Sequence, residues 1–84
     1  MSRSRLLLQR ILTGRSDANL RFDDLRVLLR ELGFIERVRG SHHLFRREGV
    51  TERINLQRDD GQAKPYQVRQ VGRVILKYGL KVNE

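Results

Sequence analysis

Apolar residues fall along this chain in two periods, and the switch between them lays out the elements. Leu7, Leu8, Ile11 and Leu12 recur at i, i+1, i+4 and i+5, one helical stripe that predicts a short helix over residues 4–13. Ser4 is expected to cap it and Gly14 to close it. A helix this short does not hold alone in water and must pack on the rest of the chain. Residues 15–21 are polar, lose the period and read as a loop. Over Phe22 to Gly33 the helical pattern returns more strongly, with Leu25, Leu28, Leu29 and Leu32 at i, i+3, i+4 and i+7. Asp23 is the expected N-cap, with Phe22 before it stapled onto Val27. The Asp23 and Asp24 carboxylates then lie at the positive end of the helix dipole.

The period next drops to two. Three short strands are predicted: Phe34 to Arg39, His42 to Arg47, and Glu52 to Gln57, separated by Gly40 and by a turn at Glu48-Gly49. Connections this short favour antiparallel pairing in a meander, with one face buried and one wet. In the third strand Ile54 and Leu56 share one face, and Arg53, Asn55 and Gln57 the other. Asp59-Asp60-Gly61 signals a turn. Pro65 suits the first position of a final helix lined by Val68, Val71, Ile75 and Tyr78, with Val74 beside them and Gly79 at its end. Gly72 inside this helix costs roughly 1 kcal/mol relative to Ala and points to a close contact, expected with the sheet. The order helix, helix, three strands, helix is an α+β domain: a three-stranded antiparallel sheet with helices on one face and an extra N-terminal helix. Helix, three strands, helix is also the layout of double-stranded-RNA-binding domains. One domain over residues 1–84 is expected, with its core in residues 22–80.

Composition adds a partner class. The formal charge is +8, and 15 of the 18 basic residues are arginine, whose planar fork binds phosphate in a bidentate manner where lysine cannot. A polyanion or an acidic protein surface is therefore expected. With aromatics at 6%, no aromatic stacking platform for single strands is evident. There is no cysteine, hence neither a disulfide framework nor a thiolate metal site. No apolar run approaches membrane-spanning length, and Leu6-Leu7-Leu8 is too short for a secretory signal, so a soluble cytoplasmic protein is expected.

The chemistry concentrates in Gly40-Ser41-His42-His43, which holds both histidines. Arg37, Arg39, Arg46, Arg47 and Arg53 surround it, and Arg69, Arg73 and Lys77 form a second basic strip on the last helix. Neighbours on a strand face opposite ways. If Phe45 is core, His43 leans inward with it, and His42 leans outward with Leu44 and Arg46, which leaves Leu44 on the wet face. Adjacent histidines lack the spacing of a helical zinc site, and Ser41 beside His42 does not converge as a triad. One chemistry asks for little more than an imidazole and positive charge: attack by the 2′-OH of RNA on its own phosphorus, with a general base or acid and cations at the phosphoryl oxygens. It needs no metal and no cofactor. An isolated histidine pair is more often structural than catalytic, and a basic chain can also be a non-catalytic RNA-binding module or a basic protein-interaction domain.

The sequence resembles the HicA family of bacterial toxins, the small mRNA-cleaving partners in HicA–HicB toxin–antitoxin pairs. The likeness rests on Arg21-Phe22-Asp23-Asp24-Leu25, Leu28-Leu29-Arg30-Glu31-Leu32-Gly33-Phe34, Gly40-Ser41-His42-His43, Ala63-Lys64-Pro65-Tyr66-Gln67-Val68 and Leu76-Lys77-Tyr78-Gly79-Leu80, over roughly residues 5 to 80. It implies a double-stranded-RNA-binding-like fold, ribosome-independent and metal-independent cleavage of mRNA, a catalytic histidine that corresponds here to His42, and a HicB-like antitoxin that covers the site. Two departures stand out: the extra helix at residues 4–13, and Asn55-Leu56-Gln57-Arg58-Asp59 where family members often carry a second histidine after the third strand.

Overall fold

The computed structural model describes residues 3–14 and 19–82. Its elements run α1 (Arg3–Thr13), α2 (Phe22–Glu31), β1 (Ile35–Arg39), β2 (His42–Arg46), β3 (Ile54–Gln57) and α3 (Pro65–Tyr78). The strands form one antiparallel sheet in the order β1-β2-β3, as the short connections predict. This is an α+β fold. The predicted loop over residues 15–21 lies outside the described residues except for its last three.

Register sorts the strand residues into two faces. Glu36 and Val38 pair with Phe45 and His43, which pair in turn with Ile54 and Leu56. This row faces the helices, and Phe45, Ile54 and Leu56 are fully buried beside Leu25, Leu28 and Leu29 of α2 and Val68, Val71 and Ile75 of α3. The opposite row carries Ile35, Arg37 and Arg39 on β1, His42, Leu44 and Arg46 on β2, and Asn55 and Gln57 on β3. No helix covers it, and most of its residues are exposed.

Helix ends depart from expectation in instructive ways. Asp23 does not cap α2. The N-cap is Arg21, without a side-chain bond, because backbone supplies the acceptor: Phe22 N–H donates to the Gly61 carbonyl at 3.1 Å, and Arg21 bridges Gln62. Phe22 is thus the first helical residue and fully buried, while Val27 is 48% exposed and makes no staple. Gly61 sits in a two-residue turn with Asp60, both at positive φ (79° and 52°), closed by reciprocal Asp59 and Gln62 backbone bonds. Ser4 likewise lies inside α1, buried toward the core with Leu7 and Ile11, while Leu12 is largely exposed. Phe34 is not in β1: its N–H returns to the Leu29 carbonyl and finishes α2. Pro65 opens α3 and Gly79 closes it in the left-handed conformation, as predicted.

Two side-chain features complete the frame. A Cβ on Gly72 would lie 3.1 Å from Ile11 Cγ2, so the close contact is with α1, not the sheet. Gln67, 5% exposed on α3, reaches the outer edge of β3: its Oε1 accepts the Gln57 N–H at 3.3 Å and its Nε2 donates to the Asn55 carbonyl at 3.4 Å. Among the described residues no helix is long and apolar enough to cross a membrane.

Candidate functional site

His42 owes its place to the tight turn before it. Arg39 and His42 are the last facing pair of β1 and β2, and Gly40-Ser41 alone connects them, with Gly40 at φ +57°. His42 is therefore the first strand residue after the turn, exposed on the uncovered face with Arg39 directly across from it. Such cross-strand neighbours stand with Cβ atoms about 5 Å apart. On its other side His42 faces Gln57, and its Nδ1 lies 3.2 Å from Asn55 Oδ1. With Nδ1–H donating to that carbonyl oxygen, Nε2 keeps the lone pair. Gln57 Nε2 donates to Ser41 Oγ at 3.2 Å, tying the turn to β3. Asn55 and Gln57 thus stand beside the imidazole in a sequence that offers no second histidine after β3.

His43 points the other way, as its parity with Phe45 predicts. Its side chain is 13% exposed, with Nδ1 2.8 Å from Glu36 Oε2 and its ring edge-on to Phe22 at 4.9 Å. Glu36 also takes both Nε (2.6 Å) and Nη2 (3.1 Å) of Arg26, a fork-to-fork pair. Arg26 extends the network to Asp23, which also binds Arg58, and the Arg58 guanidinium lies 4.8 Å over the Phe22 ring. The Arg58 and Arg26 guanidiniums hold the Asp23 carboxyl at about 2, and Arg26, with His43 behind it, lowers that of Glu36. The sequence gives little hint of this network, because Glu36 sits in the charged run Glu36-Arg37-Val38-Arg39. Strand parity is the signal: two residues from Val38 and opposite Phe45, it must face the helices and needs a partner there.

The predicted arginines divide. Arg37, Arg39 and Arg46 project from the uncovered face, and Arg53, just before β3, joins Ile35 and Arg46 at its far end. Among the described residues none of these four makes an ion pair or side-chain hydrogen bond, whereas Arg3, Arg26, Arg58 and Lys77 each contact a carboxylate. Arg47 departs from the group. It belongs to the turn that Val50 N–H closes on its carbonyl, and its side chain packs on Gly33 at the end of α2. The second strip stands apart as well: Arg69, Arg73 and Lys77 are exposed on α3, across the core from the sheet face, and Lys77 is bound to Glu52. Glu52, held at about 2 by the Tyr78 hydroxyl and Lys77, anchors the segment before β3 to α3. Among the described residues, no three His, Cys, Asp or Glu side chains gather where they could share a metal ion.

Comparison with family models, curated proteins and solved structures finds no match to this chain.

Proposed function

We propose that this protein is a HicA-like toxin, a metal-independent endoribonuclease that cleaves mRNA, with the uncovered sheet face as its substrate surface and His42 as its general base. The carrying observation is the gathering of arginines around one exposed histidine. Four guanidiniums without carboxylate partners among the described residues, Arg37, Arg39, Arg46 and Arg53, share a face with an exposed histidine whose Nδ1 is engaged by Asn55. The helix–three strands–helix order, similar to a double-stranded-RNA-binding domain, fits this reading, as do the sequence motifs. In the proposed step His42 Nε2 takes the 2′-OH proton, the 2′-oxygen bonds to phosphorus, and the P–O5′ bond breaks. Arg39, directly across from His42, neutralises the phosphoryl oxygens, and water protonates the departing 5′-oxygen. Gly40 gives the backbone room beside the scissile phosphate, and Ser41 adds a hydroxyl at the turn. A HicB-like antitoxin would restrain the toxin by covering this face.

His42→Ala tests the reading. General acid–base help is worth ~10²–10⁴-fold, so the variant should be nearly inactive while it still folds and binds RNA. Cleavage should persist in EDTA, produce 2′,3′-cyclic phosphate and 5′-hydroxyl ends, and fail on RNA carrying 2′-O-methyl at the cut site. Cutting of the blocked RNA, or a requirement for Mg²⁺, rules the mechanism out. A second reading, RNA binding without cleavage, draws on Asn55 and Gln57 flanking His42 where a second histidine would supply an acid. It predicts that His42→Ala changes nothing beyond a modest loss of affinity.

A further inference from the structure

The uncovered face has one apolar place. Leu44 sits in the middle of β2, between Arg37 on one side and Asn55 on the other, and Ile35 is 67% exposed at the end of the same face. Together they floor a cleft of about 350 Å³ with Arg37, Arg46 and Arg53 at its rim. An apolar floor beside unpaired cations offers a ligand two kinds of contact at once. The rim guanidiniums have no carboxylate partner among the described residues. An occupant that uses both is apolar and flat enough to lie on Leu44 and Ile35 and carries anionic charge next to that surface.

We infer that this cleft is a nucleobase subsite: one unpaired base of the RNA lies on Leu44 and Ile35, and Arg37, Arg46 and Arg53 bind the phosphates flanking it. The inference rests on the RNA reading above and narrows it to a single-stranded substrate at this point, since a base held in a duplex would first have to break its pairing and stacking to enter the cleft. No aromatic side chain is available here. Phe22, Phe34 and Phe45 are buried, Tyr66 is on α3, and Tyr78 is bound to Glu52. Aliphatic surface and guanidinium planes must replace an aromatic platform, and arginine stacks on bases where lysine does not. Distance favours one RNA strand serving both places. The base floor begins at Leu44, two residues from His42 on β2, and ends at Ile35, opposite Arg46 four residues away, about 7 to 13 Å at ~3.3 Å per residue, which is within the reach of about two extended nucleotides.

The test separates the subsite from the nuclease. A set of all-2′-O-methyl oligoribonucleotides, each with one abasic site at a different position, is titrated against the wild-type protein by fluorescence anisotropy. One position should lose roughly tenfold or more in affinity, about two nucleotides from the bond cut in the matching unmodified RNA. Ile35→Ser, at an exposed position that tolerates the change, should weaken the intact oligonucleotide by a similar factor and leave the abasic one unaffected. Leu44→Ser should do the same. An even loss across all positions, a sensitivity that survives both substitutions, or no binding at all overturns the subsite. A flat scan beside normal RNA cleavage sinks the subsite alone, whereas a localised loss without any cleavage sinks only the nuclease. If the scan is flat and a glutamate-rich peptide containing leucine binds with sensitivity to Ile35→Ser, the cleft belongs to a protein partner instead.

Discussion

Asn55 does for His42 what Glu36 does for His43, but with a neutral oxygen and in the open. An imidazole with Nδ1–H donated to an amide is fixed in orientation without gaining a counter-charge. Asn55→Ala should therefore lower the cleavage rate by only about 2- to 10-fold, the worth of one hydrogen bond, and leave the pH–rate midpoint in place. Asn55→Asp should move that midpoint upward, because a carboxylate favours the imidazolium. A pH–rate profile on both variants checks this, and an unmoved midpoint in Asn55→Asp would mean that the contact plays no part in the chemistry. For His43 the expected loss is structural: His43→Ala removes the Glu36 bond and the Phe22 edge contact and should cost about 1–3 kcal/mol by denaturant melt. If activity vanishes while stability holds, the roles of the two histidines are reversed. Their opposite placement is legible from sequence because the strand period is two and Phe45 has to be inside. The Asn55 and Glu36 contacts are not, since each depends on a register that spans 7 to 13 residues of chain.

Among the elements, the helical stripes and the meander are legible because each rests on several apolar positions agreeing with one another. Caps rest on single residues and lose to tertiary demands: Asp23 is drawn off by Arg26 and Arg58 once the Gly61 carbonyl accepts the Phe22 N–H. Gly72 is readable as a close approach but not with a named partner, because nothing in the chain shows that α1 rather than the sheet arrives there. The carboxylates that tie elements together carry a pH signature. Asp23 joins α2 to the end of β3, Glu36 joins β1 to α2, and Glu52 joins α3 to the segment before β3. All three have folded-state pKa values below their ordinary ones, with Asp23 and Glu52 at about 2. A depressed carboxylate contributes stability that is complete above its unfolded pKa, about 4, and is lost as pH falls through the folded value. The melting temperature should be level down to about pH 4.5 and then fall toward pH 2. Asp23→Asn with Glu52→Gln should flatten that fall, and an unchanged acid limb would show that these contacts do not act on stability.

At the scale of the whole molecule, the uncovered sheet face gathers several arginines on one side of the sheet. Asp24, Glu36 and Glu52 meet their cations between elements, and among the described residues no carboxylate neutralises the guanidiniums of the uncovered sheet face. The excess of arginine is legible in the sequence, but only register shows that Arg37, Arg39 and Arg46 share a face, and only packing shows that Arg47 leaves it. Four phosphate contacts to a single strand predict a log–log salt slope of about −3, or roughly a 50-fold loss of RNA affinity from 50 to 200 mM salt. Converting Arg37 and Arg46 to Gln should halve the slope, while Arg47→Gln should leave it alone. Titration at four salt concentrations measures both, and a salt-independent affinity would remove phosphate from the account.

A sheet open at both margins is a bifunctional monomer, able to add one strand on each side and so to grow without limit. Gln67 makes this one monofunctional. Its amide stands in for a neighbouring strand at β3, holding the Gln57 N–H and the Asn55 carbonyl that a newcomer would need, and among the described residues no side chain does the same at the arginine-bearing β1 margin. The worst outcome for the folded protein is then a pair that stops at two, and one buried amide acts as a chain terminator. Gln67→Leu keeps the volume and gives up the termination. Light scattering on concentrated samples should show the natural chain halting at or below dimer and the variant continuing to large assemblies, and a variant that also halts would mean that the β3 margin is closed by something other than this side chain.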